Sequence, residues 1–129
     1  MALKLLTQNG FEAFALSLPA VSIVHQWGDS SVAKVGEKMF AMLSPGPASL
    51  CFKVNAFSFD MLTDGEGVGQ APYLAKGQWV SVMPAAKLSD ADLKAYITEA
   101  HRIIAGKLTR KLQAELGLTD WLKAGPDRS

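Results

Sequence analysis

VAKVGEKMFAML, Val32 to Leu43, is the stretch from which the fold follows. Two runs of strand-forming residues meet at Gly36-Glu37, where the glycine takes a positive φ at no steric cost, so the segment predicts a β-hairpin of fixed register. A hairpin specifies architecture and says nothing of activity. The chain contains no catalytic or cofactor motif, so function must be sought in how its side chains cluster.

Upstream, Asn9 and Glu12 stand three apart ahead of Phe11, Phe14, Ala15 and Leu18, which predicts a capped helix that ends at Leu18-Pro19. Ile23, His25 and Trp27 alternate with Val24 and Gln26 as a first strand, turning at Gly28-Asp29. Downstream of the hairpin and the Pro45-Gly46-Pro47 turn, Leu50, Phe52 and Val54 alternate with Ser49, Cys51 and Lys53, a strand with one buried face. Asn55 caps a short helix carrying Phe57, Met61 and Leu62. The glycines of Asp64 to Pro72 predict an ordered loop without regular structure, and Gln78 to Val82 a last strand closed by Pro84.

The final helix is specified most strongly. Ser89 and Asp92 form a capping box, Leu88 can staple onto Leu93, and Leu93, Tyr96, Ile97, Ala100, Ile103 and Ile104 make one apolar stripe. At Gly106 the stripe turns cationic with Lys107 and Lys111, while Leu108, Leu112 and Leu116 begin a rotated seam, so the helix either kinks there or runs past the sheet. Gly117 is a stop, and Trp121 and Leu122 are expected to dock as one turn. The element order implies an α+β fold, an antiparallel sheet with the N-terminal and C-terminal helices on one face. A single domain is expected over 1–129, with a core from 9 to 118 and a tail over 119–129.

Composition narrows the function. The 129 residues suffice for one domain that buries roughly two thirds of its unfolded surface without staples. Thirteen Lys and Arg against twelve Asp and Glu leave a net charge of +1, so any nucleic-acid contact must come from local clustering. A single cysteine, Cys51, rules out an internal disulfide and suits a reducing compartment. No run approaches a membrane span, and the apolar part of MALKLL is too short for a signal peptide, so the expected location is cytoplasmic.

Several segments together resemble one family. LSLP, Trp27-Gly28-Asp29, KVGEKMFA, CFKV, APYLAKGQWVSV and LKAYITEAHRIIAGKLTRKL, in this order from about Phe11 to Leu118, look like the MmcQ/YjbR family of small bacterial proteins. The resemblance implies the frataxin-like (CyaY-like) fold. It also implies a DNA-binding label, which rests on a proposed double-wing arrangement and on naming after a mitomycin-resistance locus. No catalytic residues come with the family. Its members often carry a Tyr-His pair before the tryptophan, and here Tyr73 is followed by Leu74, so no role for that histidine carries over.

Two groups of residues are candidate sites. Arg102, Lys107, Arg110 and Lys111 lie between Ala100 and Ala114 with no acid among them, a possible phosphate-tracking stripe joined by Lys34 and Lys38 from the hairpin. The plainer alternative is that they complement a helix C-terminus and snorkel at the edge of the core. Lys53, Tyr73, Lys76 and Trp79, with Trp27, could offer aromatic faces and cations to a small anionic ligand; the alternative is that the aromatics cover the sheet. His25, His101, Cys51 and Asp29 match no metal-ligand spacing, Asp64 to Gly69 is no P-loop, and Asp90 and Asp92 belong to a helix start. The expectation is a protein with no catalytic residues, cofactor or metal, a monomer or weak homodimer that binds DNA weakly. The alternatives are a small-molecule or drug-binding protein with an aromatic pocket, and an interaction module pairing through Leu108, Leu112 and Leu116.

Overall fold

At Gly36-Glu37 both residues take positive φ, +55 and +72, the two-residue turn whose twist matches that of the flanking strands. The computed structural model describes residues 5–26, 29–44, 48–72, 74 and 76–124. Along it run α1 (Gln8–Leu16), β1 (Val21–Gln26), β2 (Ser30–Val35), β3 (Lys38–Ser44), β4 (Ser49–Lys53), α2 (Ala56–Thr63), β5 (Val68–Gln70), β6 (Trp79–Val82), α3 (Asp90–Ala105), α4 (Arg110–Glu115) and α5 (Thr119–Ala124). The strands form one antiparallel sheet in the order β1-β2-β3-β4-β6-β5.

The hairpin register pairs Val35 with Lys38 and Ala33 with Ala41, and a bulge between them brings both Phe40 and Ala41 into the core. Leu50 and Phe52 of β4 and Val80 and Val82 of β6 continue that apolar face. Leu93, Ile97, Ala100 and Ile104 cover it from α3, as their spacing predicts, and Phe52 stacks on Tyr96 with ring centroids 5.8 Å apart. The capping box of Ser89 and Asp92 is formed, and Asn55 caps α2 by accepting from Ser58 N at 2.8 Å.

Five expectations need correction. The cap of α1 is Thr7, whose hydroxyl accepts from Gly10 N, two residues before Asn9; Glu12 is turned instead toward β1 and β2. The Asp64 to Pro72 stretch contains a strand, β5, because β6 offers it a free edge. Gly67 permits this, since a Cβ there would lie 2.5 Å from Ala86 N. β4 is buried on both faces, with Cys51 at 3% and Lys53 at 6% exposure. The last helix neither kinks nor overruns: α3 stops at a Gly106 cap, and Thr109 caps a separate α4 by accepting from Leu112 N. Finally, Leu108 is buried and Leu112 and Leu116 pack against the core, so they form no open seam for a partner.

Candidate nucleic-acid interface

The Gly36-Glu37 turn rests on the segment after α3. A Cβ on Gly36 would lie 2.6 Å from Leu108 Cδ1 and 3.3 Å from Leu116 Cδ1, so the absent side chain is what lets hairpin and α4 meet. This contact brings the turn that Lys34 and Lys38 flank up to the chain segment that carries Lys107, Arg110 and Lys111. Lys34 is half-buried and the other four are exposed. Among the described residues the one ion pair is His25 with Glu12 at 2.7 Å, so none of these cations is neutralised by a carboxylate. Glu37, exposed at the turn itself, is the acid set among them.

Lys53 ends β4 at the end of the strands where β3 begins, and donates to Gln78 Oε1. Burial, and then the neighbouring Lys107 charge and hydrogen bond, push the Lys53 ammonium below the usual lysine range.

Arg102 is drawn elsewhere. Its guanidinium lies 4.1 Å from the Trp121 ring centroid and donates to Trp121 O at 2.8 Å, tying α5 to α3. Beside it His101, fully buried, donates from Nε2 to Pro19 O at 2.8 Å and accepts Trp121 Nε1–H at Nδ1 over 3.1 Å. Those two bonds fix a neutral tautomer, and burial pushes its pKa below the usual histidine range, with Arg102 adding to the shift.

The proposed aromatic pocket is not assembled by the described residues. Trp79 is 8% exposed and packs with Cys51, Ala71, Met39, Met42 and Leu74; Lys76 is exposed; Trp27 and Tyr73 lie outside the described residues. A concavity of about 550 Å³ lies instead along α3, lined by Phe14, Ser58, Lys94, Tyr96, Glu99 and Arg102. Its residues come from three helices, which periodicity within each helix could not show.

Glu12 Oε2 accepts from Ser31 Oγ at 2.5 Å and from His25 Nε2 at 2.7 Å. Ser31's hydrogen bond, then His25, hold the carboxyl below its usual range against the burial that raises it. Because both partners meet one oxygen of Glu12, His25 is not placed to take a proton from Ser31, as a nucleophile relay would need. Cys51 is buried with its thiol pushed up by burial, partly offset by Ser81 and Ser49. No group of three His, Cys, Asp or Glu among the described residues could hold a metal ion, and no described helix is long and apolar enough to cross a membrane.

Comparison with known proteins places this architecture. The YjbR family model matches residues 16–103. The crystal structure of a Deinococcus radiodurans protein with a DUF419 domain superposes with a TM-score of 0.81 at 21% identity, covering 100% of this chain and 99% of that one. A Pseudomonas syringae protein superposes with a TM-score of 0.66 at 18% identity over 75% of this chain and 97% of that one. Among curated proteins, none matches the chain.

Proposed function

The chain belongs to the YjbR family, and from that premise we propose that it is a non-enzymatic cytoplasmic module that binds duplex DNA weakly through phosphate contacts. The observation that carries this reading is the meeting of two cationic segments remote in sequence. Lys34 and Lys38 flank a turn that Gly36 seats against Leu108 and Leu116, the leucines on either side of Arg110 and Lys111. Cations flanking a hairpin, without carboxylate partners among the described residues, suit the phosphodiester backbone and carry no base code. Arg102 is left out of the interface because Trp121 holds it. With a net charge of only +1, affinity depends on these cations, and binding should be modest and steeply salt-dependent.

Duplex binding measured at two salt concentrations tests the reading. Replacing Lys107, Arg110 and Lys111 together by Gln should weaken binding to every sequence about equally and lower the salt slope by roughly one unit per lost contact. Wild-type protein without affinity at about 50 mM salt, where electrostatic binding is strongest, would end it.

A further inference from the structure

We propose that the concavity along α3 binds a free α-amino acid with an apolar side chain. It takes in none of the cations assigned to DNA, so the two readings stand or fall separately. At about 550 Å³ it lies within the range of small-ligand pockets, roughly 300 to 1,000 Å³. Its wall combines the rings of Phe14 and Tyr96 with Glu99 and Arg102, opposite charges about one helical turn apart. Phe14 is half-buried, and Tyr96 is backed by Phe52, the two rings stacked with centroids 5.8 Å apart.

Glutamate and arginine three positions apart on a helix are neighbours that ordinarily pair. Here they form no ion pair. Arg102 is held from another side: Nη1 donates to Trp121 O at 2.8 Å, and the guanidinium lies 4.1 Å from the Trp121 ring centroid. Its Nε is buried without a partner, an uncommon state for a cationic donor. With Nη1 taken, the remaining edge of the fork carries Nε–H and one Nη2–H, a pair that grips a carboxylate through two parallel hydrogen bonds. Glu99 is half-buried and has no cation to offset its charge among the described residues. A simple acid would be repelled by Glu99, and a simple amine by Arg102. A zwitterion with carboxylate and ammonium on one carbon answers both and leaves its side chain to the apolar wall. Lys94 is engaged elsewhere, its ammonium over the Phe14 ring at 5.9 Å, about two helical turns from Arg102.

The test uses the whole chain with L-leucine as probe, read by isothermal titration and by melting temperature. Leucine should bind saturably and raise the melting temperature. Leucinamide, which lacks the carboxylate, and N-acetylleucine, which lacks the ammonium, should each bind about tenfold more weakly, the loss of one charged contact. Arg102→Lys, which keeps the charge but not the fork, should weaken leucine binding about tenfold. Glu99→Gln should do the same and also erase the preference for leucine over N-acetylleucine, a change that general loss of structure does not produce. Because Arg102 ties α5 to α3, its variant could loosen that end of the fold. Ala95→Trp avoids this: Ala95 is an exposed lining residue, and the indole should fill the concavity and abolish binding with every bond of Arg102 in place. Absence of saturable leucine binding to the wild type overturns the proposal. So does leucinamide or N-acetylleucine binding as tightly as leucine, or undiminished leucine binding in Ala95→Trp.

Discussion

The two faces of the sheet are built by different means. On one, Ala33, Val35, Leu43, Leu50, Phe52, Val80 and Val82 join Leu93, Ile97 and Ala100 of α3 in a continuous apolar core. On the other, Cys51, Trp79 and Ala71 form a small cluster edged by Met39, Met42 and Leu74, with no helix among its members. Beside it a row of hydroxyls crosses four strands, Ser30 to Ser44 at 3.1 Å and Ser49 to Ser81 at 2.6 Å, with Ser44 and Ser49 opposite each other. The first face draws its stability from area removed from water. The second is closed by short side chains bonding each other and by flexible thioethers, so burial there does not imply a rigid core.

Large truncations should expose that difference. Phe52→Ala, fully buried between the sheet and Tyr96, should cost about 3 to 5 kcal/mol in denaturant unfolding. Trp79→Ala removes a larger side chain but should fall at the low end, about 3 kcal/mol, because Met39 and Met42 can move into the space. An equal or greater loss at Trp79 would show the second face to be packed as tightly as the first.

What was legible in the sequence follows the same division. The Gly36-Glu37 turn, the existence of the β4 strand and the Ser89 capping box depend on neighbours within a few residues, and each is found as expected. β5 was not legible, because Val68, Gly69 and Gln70 have little strand character and become one only by pairing with β6. Alternation marked Cys51 and Lys53 as the outer face of β4; what buries them, Trp79 and the residues around it, comes from elsewhere in the chain. For the candidate site, the cations could be named in advance but their grouping could not. Arg102 looked like part of the stripe until Trp121, nineteen positions on, claimed it.

The helix-covered face also holds the one fully buried histidine, which gives it a pH dependence. Because the folded pKa of His101 lies below its usual value of 6.5, the unfolded chain takes up a proton in a range where the folded chain refuses it. Its contribution is therefore complete above about pH 6.5 and is lost as the pH falls toward the folded value. Glu12, also lowered, adds a second loss that begins only below its usual 4.5. Unfolding at pH 7.5 and 5.5 should show the wild type less stable at the lower pH. His101→Gln, whose amide can keep both a donor and an acceptor, should show a smaller difference. An undiminished difference in that variant would place the acid sensitivity elsewhere.

The smallest effect is expected in the hydroxyl row, and it bears most directly on how the second face is held. Ser81 is 8% exposed and shares a hydrogen bond with Ser49, beside Cys51. Ser81→Ala leaves the Ser49 hydroxyl with only Cys51 Sγ, 3.9 Å away, a weak acceptor at long range. Ser49 is itself half-buried, so water can replace part of the lost bond, and the cost should be about 1 kcal/mol, or about 4 °C in melting temperature. No change would mean that the row is as well hydrated as it is bonded. A loss above about 3 kcal/mol would mean the reverse, a desolvated hydroxyl left without a partner, and the second face would then have to be counted as core.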